Sequence, residues 1–286
     1  MTHLTRNAVL AASLALASPA LAVDVDGVIT VDNAYGFGFG SAAGMTTSSY
    51  FGGLRNTSAA DITNGLPSLY TAGDANAGNG FTNVGVGPEL YDLNGLPASD
   101  YMYIVAWSDD TSLQGVLGSF TVGTQTVGTV DNVGWEVYAT GLDRDSNIIG
   151  DTLTNSAADI ALINSQIALA NVAGGGAGTS VGWVDENGML PGGGFGSGAL
   201  VFGDDNTGGV GGTHPFGAIN GISSDSRWMW YNEDPATITN PFRAGPEGSD
   251  GHHEFLIFRI PVSNIPGPGS LAAFGLATLA TVRRKR

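Results

Sequence analysis

The residues best placed to do chemistry in this chain are oxygen donors. Asp143, Asp145 and Asn147 alternate in Asp-Arg-Asp-Ser-Asn, and Asp151 follows shortly after. Alternating side-chain oxygens are how a loop wraps calcium, a hard cation that takes oxygen ligands. The standard helix–loop–helix calcium loop is excluded, because Ile148 stands where it needs glycine and Thr154 where it needs a bidentate glutamate. An ordinary acidic surface loop fits the segment better than a calcium site does. A second group, His252-His253-Glu254 with Asp250 nearby, holds metal-ligating types. Neighbouring side chains on a strand project to opposite faces, so the two histidines do not converge there. They read as turn residues entering a strand.

Trp228-Met-Trp230 is the third candidate. Two indoles two residues apart share one face of a strand. An exposed face would be a platform for stacking sugar rings, as in a carbohydrate-binding module for extracellular polysaccharide. A buried one is simply core, where aromatic side chains contribute most, and core is the better reading. Trp107, Trp135 and Trp183 sit in apolar runs and read as core too. A polysaccharide-active enzyme would need two carboxylates facing across a cleft. The chain has 26 acids and no pair among them stands out. His214, His252 and His253 lack the partner motifs of a serine-nucleophile site. The runs Gly192–Gly194 and Gly208–Gly212 lack the Lys-Ser/Thr of a phosphate loop. The absence of cysteine removes thiolate-zinc sites, iron–sulfur clusters and cysteine nucleophiles. The reading is non-catalytic, with no cofactor beyond the weak calcium candidate.

The elements that must carry these residues are short strands. Glycine supplies 45 residues and charged residues only 13%, a profile of many strands joined by turns. Strands are expected at Gly27–Val31, Tyr35–Phe39, Tyr101–Trp107, Leu113–Val122, Gly134–Thr140, Val181–Val184, Ala199–Phe202, Arg227–Tyr231 and Glu254–Val262. Tyr101–Trp107 is apolar almost throughout, as a strand covered on both faces is. Ser108-Asp-Asp-Thr111 after it favours a tight reversal, so Tyr101–Trp107 and Leu113–Val122 read as a hairpin. In Tyr35-Gly-Phe-Gly-Phe39 the rings recur at period two and share a face. One amphipathic helix is expected from Ser156 to Val172, started by a capping-box-like Ser156-Ala-Ala-Asp159 and striped by Ile160, Ile163 and Ile167. Gly174 to Gly221 reads as a glycine-rich insertion. The fold class is all-β, a β-sandwich or jelly-roll-like domain with one accessory helix.

Both ends read as processing segments. Arg6 precedes an apolar stretch from Ala8 to Ala17, and Ala20-Leu21-Ala22 fits the small-x-small cleavage pattern. A bilayer-spanning helix needs roughly 20 apolar residues, so residues 1–22 read as a signal peptide cut after Ala22 rather than as an anchor. Residues 23–265 form the body. Five basic residues (Arg55, Arg144, Arg227, Arg243, Arg259) face all 26 acids there, so the body is lysine-free with a net charge of −21. Such a surface repels phosphate backbones and anionic lipid, which argues against nucleic-acid partners and membrane-surface binding.

Residues 266–286 read in three parts: Pro266-Gly267-Pro268, an apolar run from Leu271 to Val282, then Arg283-Arg284-Lys285-Arg286. The basic cluster would hold the terminus on the cytoplasmic side of a membrane. This tail resembles the PEP-CTERM sorting signal of exosortase-processed bacterial proteins: a Pro-Glu-Pro motif, a short hydrophobic helix and an arginine-rich end. Gly267 stands where the family has glutamate. The resemblance implies export, cleavage near Pro268 by an exosortase-like membrane protease, and release or anchoring at the cell surface. It also implies association with extracellular polysaccharide and biofilm matrix. Membrane contact would run only through the transient C-terminal segment. The body looks like a recurring type among such proteins through Trp107-Ser-Asp-Asp110, Trp228-Met-Trp230 and Glu254–Arg259, a likeness that carries no activity.

Overall fold

The computed structural model describes residues 22–32, 34–46, 51–54, 88–97, 99–107, 114–142, 157–172, 179–190, 192–207, 218–219, 221–243 and 255–265. Two antiparallel sheets stack face to face. In one, β10 (Ala199–Asp205), β11 (Arg227–Asn232), β7 (Gly115–Val122), β1 (Ala22–Asp32) and β5 (Glu89–Pro97) follow one another, and β8 (Gln125–Gly128) also pairs with β7. In the other the order is β3 (Gly44–Met45), β2 (Ala34–Ser41), β6 (Tyr101–Trp107), β12 (Leu256–Pro261) and β9 (Glu136–Ala139), with β4 (Phe51–Leu54) also on β2. The all-β expectation holds.

Residue alternation explains how the layers stack. In β1, Val25, Ile29 and Val31 point into the space between the sheets, while Asp24 and Asp26 point to water. In β6, Met102, Ile104 and Ala106 enter the inter-sheet core, and Tyr103 and Val105 enter a second core on the opposite face. The same division holds in β12, where Leu256, Phe258 and Ile260 face inward and Ile257 outward. Each such side chain contributes about 2 kcal/mol by leaving water. Rings bridge the sheets: Phe37 of β2 lies 6.1 Å from Phe120 of β7, and Trp230 of β11 lies 6.0 Å from Phe258 of β12.

The second core is roofed by the helix, α1 (Ala157–Ala170). Ile160, Ile163, Ile167 and Ala170 bury their side chains against Tyr103, Val105, Tyr138, Trp183 and Ile257. The helix ends at Ala170, two residues short of the expected Val172. Its polar side chains reach the sheet edge. Asn164 accepts from the Met45 amide at 2.8 Å and donates to the Met45 carbonyl at 2.9 Å, filling both backbone positions as a neighbouring strand would. A methyl group on Gly44 would sit 2.7 Å from Asn164 Oδ1, so this approach requires glycine there. Asn164→Ala should lower stability by about 1–2 kcal/mol, read from the urea midpoint, because it strands two backbone groups at a covered edge.

Three expectations are corrected. Tyr101–Trp107 and the following apolar run do not form a hairpin: β6 pairs with β2 and β12, whereas β7 lies in the other sheet beside β1, β8 and β11. β6 is an inner strand of its sheet, and both of its lateral partners come from distant parts of the chain. Residues 181–184 form no strand, only one bridge from Val184 to Val137. The glycine-rich stretch is no simple insertion, since Trp183, Val184, Leu200 and Ile219 within it are buried core residues.

Candidate functional site

The densest polar arrangement among the described residues is built around Arg259. Its strand reads Leu256-Ile-Phe-Arg-Ile-Pro261, and parity puts Arg259 on the helix-covered face with Ile257 and the preceding Phe255. Across the ladder it stands opposite Tyr103 on one side and Glu136 on the other. Arg259 is only 5% exposed. Its guanidinium lies over the Trp183 ring at 3.8 Å and over the Tyr101 ring at 4.7 Å. Nε donates to Glu136 Oε2 at 2.6 Å, and Nη1 donates to Asn171 Oδ1 at 3.3 Å.

Asn171, just past the end of α1, is the hub. Its Oδ1 also accepts from the Trp183 indole at 2.8 Å, and its Nδ2 donates to the Ala42 carbonyl in the β2–β3 turn at 2.7 Å. One side chain thereby ties the helix end, the Trp183 segment, the turn and the buried cation together. A buried guanidinium is tolerable only when paired and hydrogen-bonded, and stacking on aromatic rings adds to that. The arrangement presents a fixed positive centre enclosed by its own partners. It is a lock rather than an open binding surface.

Tyr103 completes the row, its hydroxyl donating to the Ser41 carbonyl at 2.7 Å. Burial pushes its pKa up to about 12, with Arg259 pulling it the other way. A phenol whose folded pKa exceeds its unfolded value of about 10 favours folding below that unfolded value, and the contribution is lost as pH rises through about 12. Between those limits the unfolded chain has lost the proton and the folded one has kept it, so stability falls. Tyr103→Phe should flatten this alkaline decline by an amount on the order of 2 kcal/mol. Urea midpoints of the two chains across alkaline pH would check it.

Sequence reasoning missed this cluster. The available signal was one charge inside an apolar strand at a position that alternation buries. Arg227 is also engaged by the fold. It donates to the carbonyls of Gly203 at 2.7 Å and Phe202 at 3.2 Å, where β10 bulges, and lies 3.5 Å from Asp131.

Of the two readings of Trp228 and Trp230, core holds and the sugar platform does not. Trp228 and Trp230 do share a face, but each is only 1% exposed and both belong to the inter-sheet core. Trp135 and Trp183 are buried as expected. The exposed large apolar side chains among the described residues include Phe195, at 78%, and Val172, at 57%. Asp143, Asp145, Asn147 and Asp151, the histidine group, Ala20, and the tail residues Pro266, Gly267, Pro268, Arg283, Arg284, Lys285 and Arg286 lie outside the described residues. Ala22 is the first residue of β1 and is exposed. Among the described residues, no group of three or more acidic or histidine side chains is placed to hold a metal ion, and no helix is long and apolar enough to cross a membrane. In comparisons with known proteins, the chain matches no family model, no curated sequence and no solved structure.

Proposed function

We propose that this chain is a non-catalytic exported protein, delivered to the cell surface or extracellular matrix by an exosortase-like sorting system that removes its C-terminal segment. The observation that carries the reading is that the packed core runs right up to both expected cuts. Val25 in β1 is fully buried, and Ile265, the residue before Pro266, is only 3% exposed. Cuts after Ala22 and near Pro268 would leave in place every core residue among the described residues. Val23 would head the mature chain already paired, opposite Leu96. The charge agrees with this division, because trimming leaves a body of net charge −21 with no lysine. Such a chain stays apart from anionic surfaces and its own copies. Extracellular polysaccharide is the medium in which it would reside, with Trp228 and Trp230 serving the core and not a sugar.

Mass spectrometry of the protein recovered from the native cell surface tests the reading. The expected product begins at Val23 and ends near Pro268. A surface-recovered chain that still carries Arg286 would rule out the sorting step, and one that still carries Met1 would rule out signal cleavage.

A further inference from the structure

We propose that Asn94 is a site of spontaneous modification, closing onto the Gly95 nitrogen to form a succinimide with the Asp24 carboxylate as proton acceptor. The β1–β5 ladder pairs Val25 with Leu93 and Val23 with Leu96, so Asn94 and Gly95 together oppose the single residue Asp24. That is a bulge, and it sits on β5, the last strand of its sheet. The bulge takes the Gly95 amide out of the backbone ladder. Its N–H instead donates to Asp24 Oδ1 at 2.8 Å. Gly95 has φ of 72°, and nothing outside its chain neighbours lies within 4 Å of where a Cβ would be, so the space beside its Cα is open. Asn94 is itself exposed.

The step balances without an oxidant or cofactor. The Gly95 nitrogen gives its proton to Asp24 and bonds to Asn94 Cγ. The side-chain nitrogen leaves as ammonia, taking back that proton. Water then opens one of the two imide C–N bonds, yielding aspartate or isoaspartate. Either product adds a negative charge. The isoaspartyl form also lengthens the backbone by one carbon, at a bulge that already holds an extra residue.

Of the other Asn-Gly pairs in the sequence, Asn187-Gly188 serves as the internal control. At Asn187-Gly188 the glycine amide donates to the Asp185 backbone carbonyl at 3.1 Å, and Gly188 is buried. A neutral carbonyl in a closed turn is a far poorer proton acceptor.

The test is peptide mapping of the full chain aged at neutral pH, following amide-to-acid conversion at each site. Conversion at Asn94 should run several-fold faster than at Asn187. Asp24→Asn, which keeps the acceptor oxygen but loses the base, should slow Asn94 severalfold at an unchanged urea midpoint. In strong urea the preference for Asn94 should vanish, a readout that does not depend on the variant folding. Slower conversion at Asn94 than at Asn187, an Asp24→Asn chain that converts as fast or faster, or a preference that survives urea would each overturn the proposal.

Discussion

Trp230→Ala should destabilise the folded chain by about 4 kcal/mol, the range for truncating a large buried aromatic. Trp230 is 1% exposed and its ring lies 6.0 Å from Phe258 of the opposite sheet, so truncation opens a void between the layers rather than baring a surface. Domains are stable by only roughly 5–15 kcal/mol in total, so the loss would be a large share of the whole. Urea denaturation of the two chains measures it. Trp228→Ala should act similarly, its side chain being equally buried in the same core. An unchanged urea midpoint with loss of binding to a polysaccharide would instead put the indoles at the surface and contradict the packing described above.

Arg259→Ala should lower stability by about 3 kcal/mol, for a different reason. The substitution removes the partner of Glu136, whose side chain is 25% exposed, and leaves Asn171 and the faces of Trp183 and Tyr101 without the group they enclose. Arg259→Lys should recover only part of the loss. An ammonium keeps the charge but lacks the planar fork that reaches Glu136 and Asn171 while lying over the rings. Tryptophan fluorescence adds a second readout, since Trp183 is the indole beneath the guanidinium. Full stability in the alanine variant would mean that the cluster does not hold the helix end to the sheet.

These substitutions also separate what was legible in the sequence from what was not. The buried strands could be read from their patterns. Tyr35-Gly-Phe-Gly-Phe39 does place Tyr35 and Phe37 on the core face with Phe39 packed beside them. Tyr101–Trp107 is lined on one face by the inter-sheet core and on the other by the core under the helix. The helix was legible because Ile160, Ile163 and Ile167 repeat at its own period. β3, β4, β5 and β8 escaped notice because each is short or carries glycine, as at Gly95 of β5, where the ladder bulges.

By itself, the sequence determined much of what depends on local order: the alternation that makes most of the strands, the helix over Ala157–Ala170, the absence of cysteine and the acid excess. Tertiary structure alone decided the pairing, because a ladder joins residues far apart in the chain. β6 takes partners from β2 and β12, not from its neighbour β7. It also decided exposure. Trp228 and Trp230 look the same in sequence whether their face meets water or another sheet, and only the stacking of β11 over β12 closes it. Arg259 shows the same dependence. One charge in an apolar strand acquires its role from Glu136, Asn171, Tyr101 and Trp183, four residues that folding alone brings together.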